Sequence, residues 1–443
     1  MKKADIVIVG GSAAGIEAAI TAQRQYSDKK IIVIRKEKQA LVPCGIPYIM
    51  GTLGSAQQDV ISNSLLGDAQ LIIDEAVSID CQAKSVMTKQ KEIIGYEKLI
   101  LATGSRPLMP HIPGVDLENV FTIKKDLDYL IKLQNALKKA HNVVIIGGGF
   151  IGAEFADECC KMGLNVTIVE LLEHCLYLNC DEDFCIRIEE KMRDAGVHVN
   201  TQNRVSSICG NGKVRYVECD NGVQFKADLV IFAIGVRPNI ELAIDAGLKI
   251  GKKNGILVDQ YMLTSDPDIF AIGDCAEKFC FFTGKTTALW LASVATREAR
   301  IAAANLFQPR RRRNQGTLGV FSTLIAGTAI GVAGLTERAA KESGFEVVTG
   351  EAVAVDKHPA SMPGARELRV KLIFDRNSEK LIGGEACGGV TAGEIANIMA
   401  QAISAGMTAN DIACTQVGTH PALTASPLVY QIVNAAEIAL VNL

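Results

Sequence analysis

Aromatic side chains are scarce in this chain of 443 residues: they make up only 5% of it, with a single tryptophan. Glycine is abundant instead, at 40 residues, and this balance favours layered α/β domains with tight turns over an aromatic-rich β-sandwich. A net charge of only −3 gives no electrostatic reason to expect a nucleic acid or a membrane as a partner. The length predicts two or three domains.

The thirteen cysteines lack the regular spacing of a disulfide framework, and the sequence contains no Cys-x-x-Cys pair. The N-terminus lacks the charged and then apolar segment of a secretion signal. Both absences favour a reducing, cytoplasmic location. Residues 318–332 are strongly apolar, but Ser322, Gly327 and Gly331 interrupt them, and the pattern fits two buried strands better than a bilayer span.

The N-terminal stretch has a glycine-rich turn between two short apolar strands. The first strand covers residues 5–9, a helical pattern runs from Ile16 to about Tyr26, and the second strand covers residues 31–34. Such a βαβ unit places a pyrophosphate at the N-terminus of its helix. Because Ser12 replaces the second glycine of G-x-G-x-x-G, the motif alone is weak evidence. The turn consists of Gly10, Gly11, Ser12, Ala13, Ala14 and Gly15.

The second strand ends in Arg35, where an acidic residue is expected to hold a ribose hydroxyl. Glu37 is close enough in sequence to reach back and take that role. The alternative for Arg35 is a solvated strand end without a binding function.

A second βαβ unit has a complete G-x-G-x-x-G turn. Its first strand is residues 142–146, its helix is predicted from Ala153 with Glu154 in the first turn, and its next strand ends at Glu170. An acidic residue there accepts a hydrogen bond from a ribose 2′-hydroxyl and repels a 2′-phosphate, so the pattern predicts NADH rather than NADPH. The turn consists of Gly147, Gly148, Gly149, Phe150, Ile151 and Gly152.

The two halves share a further pattern, in which an apolar strand is followed by a glycine turn and then Arg-Pro. It occurs at residues 99–107 and again at residues 229–238, which indicates two copies of one dinucleotide-binding plan. Another predicted strand ends in Gly273 and Asp274. An acidic residue there can hydrogen-bond the hydroxyls of a nucleotide, although an ordinary turn is the alternative. A helix from about Ala288 to Leu306 is predicted next.

The last third of the chain lacks a nucleotide motif. Residues 308–313 are charged and predict a linker, after which strands at 347–355 and 368–374 and a helix at 392–405 indicate an α+β domain suited to dimer contacts. His420 is a candidate for acid–base chemistry because histidine titrates near neutral pH. A structural role is the alternative for this lone histidine.

One cysteine has surroundings that favour chemistry. Cys44 lies between Pro43 and Gly45, with Pro47 shortly after, and these turn-forming residues predict an abrupt entry from a strand into a helix. Free amides at a helix start favour the thiolate, which is the nucleophilic form of cysteine. A buried structural cysteine is the alternative.

Together these segments resemble the FAD-dependent pyridine nucleotide–disulfide oxidoreductases over almost the whole chain. Residues 43–48, Pro-Cys-Gly-Ile-Pro-Tyr, are most similar to the coenzyme A disulfide and persulfide reductases of the single-cysteine branch, which also contains NADH peroxidases and oxidases. The resemblance implies an α/β fold with two Rossmann-like dinucleotide-binding domains and a C-terminal α+β dimerisation domain, and hence a homodimer. It places the FAD-binding domain at 1–115 and 240–315, the NADH-binding domain at 116–239 and the dimerisation domain at 316–443.

The resemblance also implies roles for individual residues. Cys44 matches the redox cysteine, and His420 matches the histidine of a His-Pro pair in two-cysteine members. Coenzyme A is a further candidate cofactor beside FAD and NADH, and no metal ligand is assigned. The residues implied to bind FAD are Gly10, Gly11, Ser12, Ala13, Ala14, Gly15, Arg35, Glu37, Pro43, Cys44, Ala102, Thr103, Gly104, Gly273, Asp274, Leu291 and Ala292. Those implied to bind NADH are Gly147, Gly149, Phe150, Ile151, Gly152, Glu154, Glu170 and Gly235.

Departures from the family pattern narrow the choice of substrate. Ala13 and Ala14 stand where NADH peroxidases and oxidases commonly carry a histidine, which argues against peroxide or oxygen. The late tyrosines of coenzyme A disulfide reductases are missing from residues 414–420, which argues against coenzyme A disulfide. Ala425 stands where two-cysteine members have the glutamate partner of their histidine.

The leading hypothesis is therefore an NADH-dependent reductase of persulfides, polysulfides or small disulfides, coenzyme A-linked ones included. An NADH oxidase or peroxidase is the first alternative. An electron-transfer reductase for a protein partner, or a redox sensor that uses Cys44, is the second.

Overall fold

The computed structural model describes residues 2–308 and 311–443. The chain forms two compact units. The first unit comprises the chain up to His111, Val120–Ala140 and Ile234–Thr317. The second comprises Ile112–Asn119, His141–Ala233 and Leu318–Leu443. Part of the predicted linker, Pro309 and Arg310, lies outside the described residues.

The first unit is built on a five-stranded parallel sheet. In spatial order its strands are Ile269–Ala271, Lys98–Leu101, Ile6–Val9, Ile31–Arg35 and Gln70–Ile73. The two strands that flank the first glycine turn are buried throughout, as expected for the continuous apolar runs of a parallel sheet. The alanine-rich helices Ala13–Gln25 and Ala292–Asn305 pack against each other.

Shorter elements complete this unit. A second sheet contains Lys2–Lys3, Ile93–Gly95, Ser85–Thr88 and Ala76–Asp80. Two-stranded pairs are Ala40–Leu41 with Val60–Ile61, Ser105–Pro107 with Val236–Pro238, and Lys278–Phe279 with Thr286–Thr287. The remaining elements are strand Val120–Thr122, helices Leu127–Leu137 and Glu241–Asp245, and the 3-10 turns Pro43–Gly45, Pro47–Ile49, Ala56–Asp59, Asn63–Leu66 and Gly273–Cys275. The two Arg-Pro segments of the repeated pattern thus pair with each other.

The second unit contains its own parallel strands around the second glycine turn. In spatial order they are Leu229–Phe232, Asn142–Ile146, Asn165–Val169 and His198–Asn200. Helix Phe150–Lys161 packs on the first two strands of the βαβ unit, and helix Glu182–Asp194 packs on the last strand. An antiparallel sheet of Val205–Asn211, Lys213–Cys219 and Gln224–Lys226 completes this part.

The C-terminal part of the second unit is an antiparallel five-stranded sheet with helices. Its strands lie in the order Val320–Ile325, Thr328–Gly334, Leu381–Gly388, Glu367–Asp375 and Val347–Val355. The helices are Glu337–Glu342, Ala392–Ala405, Ala409–Ala413 and Gln431–Asn442, and Pro427–Val429 is a 3-10 turn. The apolar residues 318–332 form two adjacent strands, as predicted. Among the described residues, no helix is both long and apolar enough to cross a bilayer.

The predicted class, α/β with two parallel dinucleotide-type sheets and a C-terminal α+β part, is confirmed. The predicted helix starts are wrong by three or four residues. The helices begin at Ala13, Phe150 and Ala292 rather than Ile16, Ala153 and Ala288. The sequence did not predict strand Leu381–Gly388 or the antiparallel sheet of residues 205–226. The division into three domains stays a prediction.

Candidate cofactor and redox sites

The first glycine turn fits closely between a strand and a helix. Gly10 has a φ of +111°, and a Cβ atom there would lie 2.0 Å from the carbonyl oxygen of Ala102. A Cβ atom on Gly15 would lie 1.9 Å from the carbonyl oxygen of Gly10. Only glycine can therefore occupy these two positions, and the bare backbone at the helix start is what a pyrophosphate requires.

A cavity of about 910 Å³ opens over this turn. Its size matches that of pockets for small molecules and cofactors. The predicted FAD residues that line it are Gly10, Gly11, Ser12, Arg35, Glu37, Ala102, Thr103 and Gly104. The charged lining is mixed: the basic residues Lys36, Arg106, Lys124 and Lys125 lie among the acidic residues Glu37, Asp74, Glu75, Asp126, Glu241 and Asp245.

Arg35 is buried, with 2% of its surface exposed, so the alternative of a solvated strand end is wrong. Its guanidinium donates hydrogen bonds to the carbonyl oxygens of Gly11, Glu37 and Lys38 and to the side chain of Asn63, at 2.8–3.3 Å. Burial lowers the pKa of Arg35. Arg35 therefore stabilises the glycine turn through the Gly11 carbonyl oxygen. Glu37 contacts Arg35 through its backbone carbonyl oxygen.

Asn239, which was not named from the sequence, holds the turn at Thr103 and Gly104 in the cavity wall. Its side-chain amide donates to the carbonyl oxygen of Thr103 at 2.9 Å, and its own carbonyl oxygen accepts from Thr103 Oγ1 at 2.7 Å. Its backbone N–H donates to the carbonyl oxygen of Gly104. Asn239 directly follows the second Arg-Pro pair, and the repeated pattern was the available signal.

Asp274 lies beside Ser105 and Lys125. Its Oδ2 accepts hydrogen bonds from Ser105 Oγ at 2.7 Å and Lys125 Nζ at 3.3 Å. The preceding Gly273 has a φ of +70°, and its N–H donates to Glu298 at 2.8 Å. Buried Glu298 therefore supports the turn, and the role of Asp274 toward a nucleotide stays a prediction.

Cys44 lies on a 3-10 turn, Pro43–Gly45, that follows the short strand Ala40–Leu41. The thiol-bearing residue is exposed, so the alternative of a buried structural cysteine is wrong. The chain enters a helical turn directly after a strand, as predicted, but this is a single 3-10 turn rather than an α-helix. Leu291 and Ala292, also predicted, lie at the N-terminus of helix Ala292–Asn305.

The second glycine turn repeats the geometry of the first. Gly147 has a φ of +104°, and a Cβ atom on Gly152 would lie 1.9 Å from the carbonyl oxygen of Gly147. Glu170 accepts hydrogen bonds from the backbone N–H groups of Gly148 at 2.5 Å and Leu172 at 2.7 Å. A carboxylate has about four acceptor positions, so Glu170 retains capacity for a ribose hydroxyl. Phe150 and Ile151 begin the helix, and the Phe150 ring lies 4.8 Å from that of Phe321.

Glu154 was predicted in the first turn of its helix, where the dipole would stabilise its charge. That prediction is wrong, because the helix already begins at Phe150. Burial raises the pKa of Glu154 to about 7, and nearby Glu158 adds to the rise, while a hydrogen bond from Thr323 Oγ1 at 2.6 Å opposes it. Glu154 therefore changes its charge in the physiological pH range.

His420 lies in an exposed turn. The N–H of Ala422 donates to His420 Nδ1 at 3.2 Å, so the neutral ring carries its proton on Nε2. Thr424 Oγ1 accepts from the His420 N–H, and its carbonyl oxygen accepts from His358 Nδ1 at 3.0 Å. His358, which follows strand Val347–Val355 and was not named from the sequence, thus contacts the turn of His420.

The structure thus places all of the predicted FAD residues, Cys44 included, in the first unit, together with Gly235, whose carbonyl oxygen accepts from the Leu108 N–H. The other predicted NADH residues and His420 belong to the second unit. Within residues 2–308 and 311–443, no cluster of His, Cys, Asp and Glu side chains is arranged to hold a metal ion.

Comparison with known proteins identifies the family. The pyridine nucleotide-disulphide oxidoreductase model matches residues 4–299, and the model of the family's dimerisation domain matches residues 320–428. An NADH oxidase of Methanocaldococcus jannaschii is 33% identical over 92% of both chains. A CoA-dependent NAD(P)H sulfur oxidoreductase of Pyrococcus furiosus is 32% identical over 95% of this chain and 96% of its own.

A solved structure agrees with these matches. An NAD-dependent persulfide reductase from A. fulgidus has a TM-score of 0.92 and 30% identity, over 99% of this chain and 83% of its own. In this chain, two glycine turns of similar backbone geometry and a C-terminal antiparallel sheet accompany these matches. The chain therefore belongs to the pyridine nucleotide-disulphide oxidoreductases and is a flavoprotein oxidoreductase with a dimerisation domain.

Proposed function

We propose that this protein reduces the sulfane sulfur of persulfides, polysulfides or coenzyme A-type disulfides with electrons from NADH, using Cys44 as its redox-active cysteine. The observation that carries the proposal is the exposed Cys44 on its own turn, in the unit that holds the 910 Å³ cavity. The similarity to the P. furiosus sulfur oxidoreductase and the A. fulgidus persulfide reductase supports a sulfur acceptor.

The residues of the first unit fit FAD. The Gly10 turn offers bare backbone for the pyrophosphate, and Asp274, which is paired with Lys125, offers an acceptor for hydroxyl groups. Bound FAD supplies the two-electron chemistry that couples NADH oxidation to sulfur reduction. In the second unit, the Gly147 turn and the carboxylate of Glu170 suit NADH, because a 2′-phosphate would be repelled.

The sulfur chemistry begins with the Cys44 thiolate. It attacks the outer sulfur of a persulfide, the sulfur–sulfur bond breaks, and the organic thiol leaves while Cys44 becomes a persulfide. Two electrons derived from NADH then cleave this new bond, which releases hydrogen sulfide and restores the thiolate. The Nε2–H of His420, supplied within a homodimer by the second subunit, donates a hydrogen bond to the departing sulfur, and the proton itself comes from solvent. The sum is RSSH + NADH + H⁺ → RSH + H₂S + NAD⁺.

The Cys44→Ser variant tests this role directly. We expect it to bind FAD and NADH as the wild type does and to lose persulfide-dependent NADH oxidation by about 100-fold or more, because serine is a far weaker nucleophile toward sulfur. The matched control is Cys414→Ser, since Cys414 is also exposed and has no assigned role. Persulfide turnover that survives in Cys44→Ser would exclude the mechanism.

An NADH oxidase or peroxidase is the second candidate. The M. jannaschii relative carries that name, and an exposed Cys44 can also cycle through a sulfenic acid. Ala13 and Ala14 leave the first turn without the histidine expected of such enzymes. Oxygen or peroxide reduction faster than persulfide reduction would favour this candidate.

A further inference from the structure

A buried carboxyl lies next to the Cys44 turn. Asp59 ends the 3-10 turn Ala56–Asp59, and only 3% of its surface is exposed. Its Oδ2 has no hydrogen-bond partner among the described residues. Most buried carboxyl groups in proteins are paired, so this one requires an explanation that the sulfur chemistry above does not supply.

The contact between Asp59 and the Cys44 turn is direct. A Cβ atom built on Gly45 would lie 1.9 Å from Asp59 Oδ1, so the carboxyl occupies the space that a side chain at position 45 would need. The Val42 N–H donates to the carbonyl oxygen of Asp59 at 3.0 Å, and the Gly45 N–H donates to Val42 at 2.9 Å. The turn that carries Cys44 is therefore packed on Asp59 from both sides of the cysteine.

We propose that Asp59 is a positioning residue for Cys44, whose carboxyl shapes the turn and whose charge state sets the reactivity of the thiol. An ionised carboxyl beside the turn disfavours the Cys44 thiolate, whereas the neutral acid does not. Burial raises the pKa of Asp59 to about 6, so the group changes its charge just below neutral pH. The inference concerns the thiol itself and does not depend on the electron acceptor.

Two elements pack against the 3-10 turn that Asp59 ends. The first is the turn Pro47–Ile49, which contains no Asp, Glu, Lys, Arg or His. The second is helix Leu127–Leu137, but its charged residues Asp128 and Lys132 are exposed. The side chain that this helix directs inward is Gln134, which donates to the carbonyl oxygen of Ile49 at 2.9 Å.

The test is the pH dependence of Cys44 alkylation by iodoacetamide, followed by mass spectrometry of the Cys44 peptide. FAD-loaded protein in a Cys414→Ser background is used between pH 5 and 9. In the wild type, the logarithm of the Cys44 alkylation rate should rise with pH less steeply around pH 6 than just below or just above it. In Asp59→Asn this flattening should disappear, and the midpoint of the profile should move down by about one pH unit.

The control is Asp68→Asn, which removes an exposed carboxyl nearby in the sequence and should leave the profile unchanged. An Asp59→Asn profile identical to that of the wild type would overturn the proposal. Should Asp59→Asn not fold, the wild-type profile decides alone: a single thiol titration without a second inflection near pH 6 would also overturn it. Alkylation needs neither NADH nor a sulfur substrate. The role of Asp59 is therefore tested independently of the proposed sulfur reduction.

Discussion

At the scale of single residues, burial changes the pH at which a carboxyl group ionises. Glu154 has an ordinary pKa of 4.5 when unfolded and a pKa of about 7 when folded. Below pH 4.5 the group is neutral in both states, and above pH 7 it must be ionised in a half-buried place. The folded state therefore loses stability as the pH rises from 4.5 to 7.

The Glu154→Gln variant should remove this loss. Since one pKa unit corresponds to about 1.4 kcal/mol, we expect the fall in unfolding free energy between pH 5 and pH 8 to shrink by roughly 2–3 kcal/mol. Urea unfolding at both pH values measures it. Thr323→Val provides a control of opposite sign, because it removes the hydrogen bond that lowers this pKa. An unchanged pH dependence in Glu154→Gln would contradict the assignment.

Individual residues also show what sequence alone can predict. Cys44 was identified because its neighbours Pro43 and Gly45 are local signals. The burial of Arg35 and the contact of Asp59 with Gly45 depend on partners that are distant in the sequence, such as Asn63 for Arg35. Without the fold, nothing distinguishes these two residues from surface charges.

At the scale of elements, the first glycine turn depends on a close approach of two strands. Gly10→Ala should therefore do more than strain a backbone with positive φ, because its Cβ atom would meet the carbonyl oxygen of Ala102. We expect a loss of bound FAD and a lower melting temperature. The flavin-to-protein absorbance ratio and a thermal scan measure both.

Gly247→Ala is the matched control for this prediction. Gly247 has a φ of +75°, but nothing lies within 4 Å of its Cβ position, so only the backbone strain of about 1 kcal/mol remains. Equal FAD loss in the two variants would show that the contact with Ala102 does not matter.

Elements differ in how well the sequence predicts them. Continuous apolar runs marked the parallel strands, but strand Leu381–Gly388 contains Gly383 and Gly384 and was missed. These glycines are needed inside the strand, because a Cβ atom on Gly383 would lie 1.8 Å from the carbonyl oxygen of Leu335. A tertiary contact thus requires glycine at position 383, although a glycine judged from its sequence neighbours alone suggests a turn.

At the scale of the whole molecule, the dimerisation domain predicts a homodimer. Light scattering after size exclusion should give twice the mass of the 443-residue chain, unchanged on dilution to low micromolar concentration. A monomeric mass with full activity would contradict the proposal that His420 comes from a second subunit.

The most direct measurement is anaerobic NADH oxidation by the FAD-loaded enzyme, with a persulfide, coenzyme A disulfide and peroxide tested side by side. Oxygen consumption is measured in a separate aerobic assay. The account predicts fast turnover with the persulfide, slower turnover with the disulfide and little with peroxide or oxygen. The argument against peroxide rests on Ala13 and Ala14. Fast reduction of peroxide or oxygen, with no NADH oxidation in the presence of the persulfide, would contradict the sulfur assignment.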